Sequence, residues 1–353
     1  MTDVYAVIMA GGRSERFWPL STEQLTKPFV PLLGPKSMIQ ETVGRLQPLI
    51  PKEKILISIG KTHEAVAREQ LPMIPPDNFI IEPIGRDTSA CLGFCALHLE
   101  RRNPDSILIA VPADHFVGDS EAYRRTLAKG IENLPGTNGI VFGIRPERPE
   151  TGYGYIQAEK PAESSAAWTV RRFVEKPDAF RAAEYVKAGT YFWNSGIFLW
   201  HNQTLLELFR LHMPRTYQHL CDLKPLLGMS NAGEKILAIF SSIERISIDF
   251  GIMEKADGFG LIPAEFHWDD VGSWAALARV FPADANNNIF QGSHAALEAN
   301  GCILYSDAGL VTVFGVSDLV VVQAKGKVLV CPKDRAADLK QLVRVLDQLL
   351  DAK

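Results

Sequence analysis

Two glycines and two cations lie close together near the start of the chain. An apolar run at residues 4–9 has the length of a buried strand, and Gly11 and Gly12 follow it closely. Adjacent glycines let the backbone turn sharply and approach a ligand without a Cβ in the way. Arg16 and Lys27 place fixed positive charges beside this turn. Because the amide groups of a glycine turn and nearby cations both attract anions, this stretch is predicted to bind phosphate.

Carboxylates in two later stretches are candidate ligands for a metal ion. Asp114 follows a predicted strand at residues 107–111, within the sequence Pro-Ala-Asp-His. Magnesium prefers hard oxygen ligands and commonly takes one or two carboxylates together with substrate phosphates. The partner carboxylate is expected from Asp269 or Asp270, and the residue types alone do not choose between them. His115 is a lone histidine, a type that is more often structural than a ligand. The sequence therefore predicts a Mg²⁺ site that includes Asp114.

Strands and helices alternate around these residues in the first third of the chain. The apolar patterns predict strands at 4–9, 55–59, 78–82 and 107–111 and helices at 37–46, 63–70 and 88–99. This order predicts an α/β fold with a mainly parallel, Rossmann-like sheet and helices on both faces. Ligands of such sheets bind beyond the carboxyl ends of the strands. We therefore expect the Gly11 turn, Glu82 and Asp114 to face one crevice.

The pattern of predicted strands and helices changes after residue 140 and again after residue 282. Further strands are predicted at 140–144, 154–158, 170–174 and 191–200, with helices at 179–188 and 203–212. The run Pro-Ala-Asp-Ala-Asn-Asn-Asn at 282–288 breaks regular structure and indicates a boundary. Short strands follow at 302–305, 310–316, 319–323 and 328–331, and an amphipathic helix at 335–352 closes the chain. We predict a catalytic domain at 1–282 and a small β-rich unit with its helix at 283–353.

The amino-acid composition, net charge and cysteine content exclude several classes of protein. The chain has 353 residues, 46% of them hydrophobic and 22% charged, which is typical of a globular protein. A formal charge of -4 provides no basic field, so nucleic acid is not an expected partner. No apolar run approaches the ~20 residues that span a bilayer, and no cleavable signal is recognised. Five cysteines without a Cys-x-x-Cys motif indicate neither a disulfide framework nor a zinc site, so a cytoplasmic location is expected.

The first stretch resembles a known signature. It lacks the Walker A pattern and the Gly-x-Gly-x-x-Gly dinucleotide fingerprint. It is similar instead to the signature of sugar-1-phosphate nucleotidylyltransferases, Gly-Gly-x-Gly-Thr-Arg-Leu-x-Pro-Leu-Ser followed by a lysine. The matching residues are Gly11, Gly12, Arg16, Pro19, Leu20, Ser21 and Lys27. Ser14 and Glu15 replace the Gly-Thr pair of the family.

Two more segments carry the resemblance on the nucleotide side. Residues 82–88, Glu-Pro-Ile-Gly-Arg-Asp-Thr, resemble the family segment for base and ribose, with Asp87 in place of Asn. A helix that begins here offers free amide groups and a positive dipole end. Residues 267–274 resemble a motif typical of mannose-1-phosphate guanylyltransferases, and that alignment makes Asp270 rather than Asp269 the metal ligand. The resemblance assigns nucleotide contacts to Gly11, Gly12, Arg13, Ser14, Glu82, Gly85, Arg86, Asp87 and Thr88.

Three of the four remaining motifs belong to the acceptor side in the family. Gly154 lies in Thr-Gly-Tyr-Gly-Tyr, where a sugar can lie against the backbone. By resemblance Glu175 binds sugar hydroxyls and Lys176 lies near the sugar phosphate. Asn194 and Gly196 belong to a Trp-Asn-Ser-Gly segment that contacts the sugar in the family. Residues 247–254 resemble the guanylyltransferase run Ser-Ile-Asp-Tyr-Gly-Ile-Met-Glu, with Phe in place of Tyr.

The resemblance implies transfer of GMP from GTP to mannose 1-phosphate, with release of pyrophosphate. Arg16 and the Gly11 loop would hold the pyrophosphate, Lys27 would neutralise charge at the α-phosphate, and Lys176 would steer the attacking phosphate. Asp114 and Asp270 would hold Mg²⁺. Two alternatives stay open: the same chemistry with another sugar or base, such as glucose 1-phosphate with UTP or dTTP, and a non-catalytic paralogue that binds GDP-mannose and regulates a partner.

The resemblance also bears on the C-terminal unit. Many family members carry a left-handed β-helix-like appendage there, and longer ones are fused to an isomerase domain. The residues after the β-rich unit are too few for a further domain of cupin size, so we expect one activity. A homo-oligomer is compatible with the sequence, which does not fix the number of subunits.

Overall fold

The computed structural model of the chain describes residues 2–12, 15–163 and 166–351. The chain folds into two compact units, and neither is continuous in sequence. The first unit consists of Met1–Gly11, Glu41–Ala113 and Val117–Trp268. The second consists of Gly12–Gln40, Asp114–Phe116 and Asp269–Lys353. Each unit is thus built from three separate stretches of the chain. The domain boundary at residue 282 stays a prediction.

Strands and helices occur along most of the described chain. The strands are β1 (Val4–Met9), β2 (Ile55–Gly60), β3 (Phe79–Glu82), β4 (Ile107–Pro112), β5 (Phe116–Val117), β6 (Gly139–Ile144), β7 (Tyr155–Glu159), β8 (Trp168–Val174), β9 (Tyr191–His201), β10 (Phe259–Pro263), β11 (Trp268–Asp269), β12 (Ile289–Gln291), β13 (His294–Leu297), β14 (Ile303–Ser306), β15 (Val311–Phe314), β16 (Leu319–Ala324) and β17 (Lys327–Pro332). The α-helices are α1 (Met38–Leu46), α2 (Glu64–Gln70), α3 (Asp87–Arg102), α4 (Ser120–Glu132), α5 (Ala179–Ala188), α6 (Asn202–His212), α7 (Pro214–Leu223), α8 (Gly233–Ser242), α9 (Leu277–Val280) and α10 (Leu339–Asp351).

The first unit is organised around one mixed sheet in the order β3-β2-β1-β4-β9-β6-β10-β8-β7. Strands β3, β2, β1 and β4 run parallel to one another, as the alternation of strands and helices predicted. The apolar runs of β2 and β4 are almost wholly buried, which is the pattern of a parallel sheet covered on both faces. The α/β class and its Rossmann-like sheet are therefore confirmed.

The other half of this sheet is largely antiparallel. Strand β9 runs antiparallel to β4, β6 and β7, and β8 runs antiparallel to β7 and β10. Gly196 takes a φ of +70° inside β9 without ending the strand, and the β6–β9 register shifts between Val141 and Gly143. A single glycine in the left-handed region can thus bend a strand that continues on both sides.

Several helices of the first unit have no counterpart in the sequence prediction. These are α4, α7 and α8, together with a π-helical turn at Asp249–Met253. Helix α4 begins after Asp119, whose carboxylate accepts hydrogen bonds from the amides of Glu121 and Ala122. An aspartate N-cap of this kind is a recognisable start signal. The turn at 249–253 has no comparable signal, because its shape depends on what packs against it.

The second unit contains the predicted β-rich segment and its closing helix. Strands β12, β14 and β16 pair in parallel with a regular register, and β17 closes this layer in the antiparallel direction. Strands β13 and β15 form a second, parallel pair. Successive parallel strands at short spacing are the arrangement of a β-helix, so the β-helix-like fold of the C-terminal segment is confirmed.

The N-terminal signature segment shares its core with this β-helix-like segment. Phe17 and Trp274 are fully buried with ring centroids 5.4 Å apart, and Tyr305 of β14 lies 5.0 Å from Trp274. The indole Nε1 of Trp274 donates a hydrogen bond of 3.0 Å to the carbonyl of Trp18. The backbone that follows the glycine turn is therefore anchored on residues more than 250 positions later in the chain.

No helix in the described ranges combines the length and apolar character that crossing a membrane requires. All five cysteines are free thiols, and Cys91 and Cys95 are buried on α3.

Candidate active site

The glycine turn follows β1 without a break. Gly11 and Gly12 are exposed, and Gly12 has a φ of +108°, a conformation that favours glycine. A Cβ at Gly11 or Gly12 would meet no heavy atom within 4 Å, so the backbone here is open to a ligand. Arg13 and Ser14, two predicted nucleotide contacts, lie outside the described residues. The exposed Arg16 belongs to a short 3₁₀ turn at Glu15–Phe17.

Lys27 is held between the two acidic motifs of the second unit. Its side chain is 6% exposed, and its Nζ lies 2.9 Å from Oδ2 of Asp114. The same Nζ donates a 2.5 Å hydrogen bond to the backbone carbonyl of Asp270. The ring of Phe17 lies beneath the ammonium, 5.8 Å away. The structure therefore brings together a predicted phosphate ligand and both predicted metal-binding motifs, which we call the Lys27 cluster (Lys27, Asp114 and Asp270).

The structure distinguishes Asp269 from Asp270. Asp269 is buried, and its carboxylate accepts two hydrogen bonds from Arg279, at 2.5 and 2.8 Å. It also accepts from the amide of Val271, which has a positive φ of +46°. Asp269 therefore shapes the turn that follows it, and a metal ion would have to break its bidentate ion pair with the half-buried Arg279 to use it.

The carboxylate of Asp270 lies beside Arg16. A Cβ built on Gly272 would be 3.2 Å from Oδ2 of Asp270 and 3.5 Å from Nη1 of Arg16. Both groups thus flank the same glycine, where a side chain would obstruct them. The predicted pyrophosphate ligand and the predicted metal ligand are neighbours in the second unit.

The donors in this cluster suit magnesium. Asp114 and Asp270 offer hard carboxylate oxygens, and no set of three or more His, Cys, Asp or Glu side chains within the described ranges is arranged to hold a metal ion. Magnesium commonly takes few protein ligands and completes its shell with water and phosphate oxygens, so two carboxylates are enough. Burial raises the pKa of Asp114, but Lys27, His115 and hydrogen bonds outweigh it, and the pKa lies below its ordinary value. Asp114 is thus an anion that could accept a cation.

The predicted nucleotide segment at 82–88 lies in the first unit, and two of its side chains are turned inward. Glu82 is buried and accepts a 2.9 Å hydrogen bond from Ser58, while burial raises its pKa. Arg86 donates from Nη2 to the carbonyl of Ser241 at the end of α8. Gly85 is exposed. Contact of Glu82 or Arg86 with a nucleotide stays a prediction, and both have a structural partner.

The start of α3 differs from the expectation of free amide groups. The amide of Thr88 donates to Oδ1 of Asp87 at 2.8 Å, and the amide of Ser89 donates to the carbonyl of Ile246. Asp87 has a φ of +69°, which aspartate and asparagine tolerate better than most residues. The hydroxyl of Thr88 accepts from the amide of Ile248. The expectation is wrong for these two amides, because the Asp87 side chain and the Ile246 carbonyl take them.

The acceptor motifs converge in the same unit. Oε1 of Glu175 lies 2.6 Å from Nζ of Lys176, and Lys176 has a φ of +46°. A Cβ on Gly154 would lie 2.5 Å from Oε2 of Glu175 and 3.3 Å from Cβ of Asn194. Gly154 therefore leaves the room that the carboxylate of Glu175 occupies. The amide of Asn194 donates to the carbonyl of Gly154 at 2.8 Å, which ties the two motifs together.

Asn194 connects this group to a residue that the sequence prediction did not select. Its Oδ1 accepts from the amide of Gly196 at 3.0 Å, and its Nδ2 donates to Oδ1 of Asp249 at 2.8 Å. Glu254 accepts a 3.0 Å hydrogen bond from the amide of Glu175. Asp249 and Glu254 both belong to the 247–254 motif, so the signal was the motif itself. We call Gly154, Glu175, Lys176, Asn194 and Asp249 the Glu175 cluster.

Charge in the Glu175 cluster is predominantly negative. Partial burial lowers the pKa of Lys176, but Glu175, Asp249 and Asp87 outweigh it and raise the pKa above its ordinary value. Burial and the charge of Glu175 raise the pKa of Asp249 to about 6, against the hydrogen bond from Asn194. The cluster thus offers one firmly charged ammonium and closely placed carboxylate acceptors.

Family models account for nearly the whole chain. Residues 5–287 match the model described as nucleotidyl transferase. The chain belongs to the nucleotidyl transferase family. Residues 292–346 of this nucleotidyl transferase match a second model, the mannose-phosphate isomerase/GMP-like β-helix domain.

Named relatives of this nucleotidyl transferase cover almost its full length. It is 35% identical to the alginate biosynthesis protein AlgA of Pseudomonas aeruginosa over 97% of this chain and 72% of that protein. It is 34% identical to a mannose-1-phosphate guanylyltransferase of Escherichia coli over 97% of this chain and 74% of that protein. A crystal structure from Thermus thermophilus, described as a mannose-1-phosphate geranyltransferase, is 40% identical with a TM-score of 0.90, and the match covers 98% of this chain and 100% of that one.

Proposed function

We propose that this nucleotidyl transferase transfers GMP from GTP to mannose 1-phosphate and releases pyrophosphate. The observation that carries the proposal is the joint presence of the Lys27 cluster and the Glu175 cluster, whose motifs occur in the order of guanylyltransferases. The relative from E. coli that is named mannose-1-phosphate guanylyltransferase supports the choice of sugar and base.

The reaction is a substitution at phosphorus. An oxygen of the sugar phosphate forms a bond to the α-phosphorus of GTP, and the bond from that phosphorus to the bridging oxygen of the β-phosphate breaks. The electron pair leaves with pyrophosphate. Both reactants are anions, so catalysis consists mainly of positioning and charge stabilisation. A covalent enzyme intermediate is not needed.

The residues of this chain have separate tasks in that step. Arg16 and the amide groups of the Gly11 turn would hold the leaving pyrophosphate. Lys27 would stabilise charge at the α-phosphate, and Lys176 would orient the attacking phosphate. Asp114 and Asp270 would hold Mg²⁺, which supplies charge neutralisation when bound. Glu175 would accept hydrogen bonds from the sugar hydroxyls.

A pyrophosphate-release assay with a panel of substrates tests this function. GTP with mannose 1-phosphate should give the highest kcat/KM, well above UTP or dTTP with glucose 1-phosphate. Equal kcat/KM for GTP and a pyrimidine triphosphate would replace the proposal with the broader nucleotidylyltransferase alternative. Tight GDP-mannose binding without any pyrophosphate release would favour the regulatory paralogue.

The metal assignment has its own test. Activity should vanish in excess chelator and return when Mg²⁺ is added in excess over the chelator. Full activity in the presence of the chelator would contradict the assignment of Asp114 and Asp270 as metal ligands.

The cellular setting follows from the chemistry. GTP and sugar phosphates are the partners that we propose, and neither a nucleic acid nor a membrane is required. Five free thiols fit a reducing compartment, so we propose the cytoplasm.

A further inference from the structure

We propose that Asp249 is a second sugar-recognition carboxylate, which works beside Glu175 and accepts a hydrogen bond from a hydroxyl group of the acceptor sugar. The inference rests on the proposed function and adds to it a residue that determines sugar specificity.

The position of Asp249 is fixed by its neighbours. Oδ1 of Asp249 accepts a 2.8 Å hydrogen bond from Nδ2 of Asn194. The Oδ1 atom of Asn194 is itself held by the amide of Gly196, so the side-chain amide cannot turn freely. The backbone of Asp249 begins a π-helical turn, a rare local form that occurs frequently at functional sites. The carboxylate is therefore preorganised, and its second oxygen, Oδ2, is the atom that we assign to the sugar.

Glu175 is also close to Asn194. Its Oε2 occupies the space over Gly154, 2.5 Å from where a Cβ would be, and Cβ of Asn194 is 3.3 Å from the same point. Asn194 thus lies near the carboxylate of Glu175 and donates a hydrogen bond to the carboxylate of Asp249. Two carboxylates close to one side-chain amide suit two hydroxyl groups of a single sugar ring.

The charges indicate why hydroxyl groups, rather than the phosphate, are the ligands of Asp249. Glu175, Lys176 and the amide of Asn194 face Asp249, and Asp87 faces Lys176. Only Lys176 among them attracts an anion, and its ammonium extends from a side chain that is 59% exposed. A phosphate near Asp249 would meet two negative charges, whereas a hydroxyl group can donate to a carboxylate. Asp249 is half-buried, so a ligand can still reach it.

The first experiment compares Asp249→Asn with Glu244→Gln. The asparagine keeps an oxygen that accepts from Asn194, and it replaces the second oxygen by an NH₂ group that cannot accept. Glu244 is an exposed carboxylate five positions away, so its variant controls for loss of one negative charge. We expect Asp249→Asn to raise KM for mannose 1-phosphate roughly 10- to 100-fold, the range for one hydrogen bond to a charged group, and to change KM for GTP less than about twofold. Glu244→Gln should change neither.

The second experiment uses sugar phosphates that lack single hydroxyl groups. For the deoxy analogue that lacks the partner of Asp249, wild type and Asp249→Asn should have the same KM. For the other deoxy analogues the 10- to 100-fold difference should persist. An equal difference for every analogue would overturn the proposal, because Asp249 would then act only by holding Asn194. Parallel increases in KM for GTP would also overturn it.

A third measurement needs no variant. Between pH 7.5 and pH 5 protonation of Asp249 should weaken binding of mannose 1-phosphate more than binding of the deoxy analogue identified above, measured by calorimetry. Both ligands carry the same phosphate, so its own titration cancels. Equal weakening would contradict the proposal. If wild type turned over no mannose 1-phosphate and bound none, the proposed function would fail, which is a different outcome from a failure of Asp249 alone.

Discussion

At the scale of single residues, the environment of Lys27 constrains the mechanism most. A buried lysine that is bonded to two acidic motifs is not a mobile surface charge. It holds the carboxylate of Asp114 and the backbone of Asp270 in fixed positions before any substrate arrives. Preorganised charge of this kind does not have to be reoriented during the reaction.

Lys27→Ala should therefore reduce turnover more than it reduces GTP binding. Loss of one preorganised electrostatic contact lowers kcat by ~10²–10³, or roughly 3–4 kcal/mol. Lys27→Arg should not restore activity, because the guanidinium is larger and planar and the Lys27 side chain is buried. Steady-state kinetics with GTP titration would measure this, and Lys36→Ala, an exposed lysine of the same segment, is the control. A loss of GTP affinity in proportion to the loss of activity would make Lys27 a ground-state anchor.

Asp269 and Asp270 should give different phenotypes. Asp270→Asn should abolish most activity and leave the melting temperature nearly unchanged. Asp269→Asn should lower the stability by roughly 2–4 kcal/mol, because it breaks the ion pair between the buried Asp269 and the half-buried Arg279, and the folded fraction should remain active. Thermal unfolding beside activity per folded molecule distinguishes the two. If Asp269→Asn alone removed Mg²⁺ dependence, the ligand assignment would have to be exchanged.

Gly154→Ala tests the space above a single glycine. The new Cβ would be 2.5 Å from Oε2 of Glu175, so that carboxylate must move away. We expect KM for mannose 1-phosphate to rise about tenfold with little change in stability, because the obstructed atom ends a flexible side chain. Gly60→Ala, where a Cβ meets nothing within 4 Å, is the matched control. Unchanged KM in Gly154→Ala would argue that Glu175 does not contact the sugar.

At the scale of elements, the signature segment and the β-helix-like strands depend on one another. Trp274 packs on Phe17 from the signature segment and on Tyr305 from β14, and its indole bonds the carbonyl of Trp18. The C-terminal strands are thus part of the support for the Lys27 cluster. We therefore expect that a change which destabilises these strands also disturbs the conformation of the signature segment.

Tyr305→Ala should show this dependence. Removing a buried aromatic ring costs roughly 3–5 kcal/mol, and the cavity lies directly against Trp274. Activity should fall although Tyr305 carries no proposed chemistry. Phe314→Ala in β15 is the control, since Phe314 is 67% exposed and its loss should change stability by less than about 0.5 kcal/mol. Full activity of Tyr305→Ala at a temperature where it is folded would show that the signature segment holds its shape alone.

At the scale of the whole molecule, function and stability oppose each other at Asp249. The pKa of Asp249 is about 6 in the folded protein and 3.8 ordinarily, so the folded state binds the proton more tightly. A raised carboxyl pKa means that the folded state is penalised above pH 6 and that the penalty disappears as the pH falls below about 4. The penalty at neutral pH is of order 1–3 kcal/mol.

Asp249→Asn should therefore stabilise the protein at pH 7.5 and impair use of the sugar. The gain in unfolding free energy should be about 1–3 kcal/mol at pH 7.5 and well under 1 kcal/mol at pH 4, because wild-type Asp249 is then largely protonated. Thermal unfolding of both proteins at the two pH values measures the difference, and other titrating groups cancel. A gain that does not depend on pH would show that burial of charge is not its cause.

The sequence by itself determined the class of fold, the positions of strands β1 to β4 along the chain, the β-rich C-terminal segment and the family. Those features depend on local patterns: apolar runs for buried strands, glycines at turns, and short motifs that occupy neighbouring positions in the chain. The mixed second half of the sheet was not predicted, because the pairing of β9 with β4, β6 and β7 joins residues far apart in sequence.

Only the tertiary structure decided which of the adjacent Asp269 and Asp270 forms an ion pair. Arg279 donates its hydrogen bonds to the carboxylate of Asp269. The tertiary structure also turned Glu82 inward onto Ser58 and brought Asp249 to Asn194. The physical reason is common to these cases. A carboxylate has the same sequence signal whether it binds a ligand, an arginine or a serine, and its role depends on which partner the fold brings within hydrogen-bond distance.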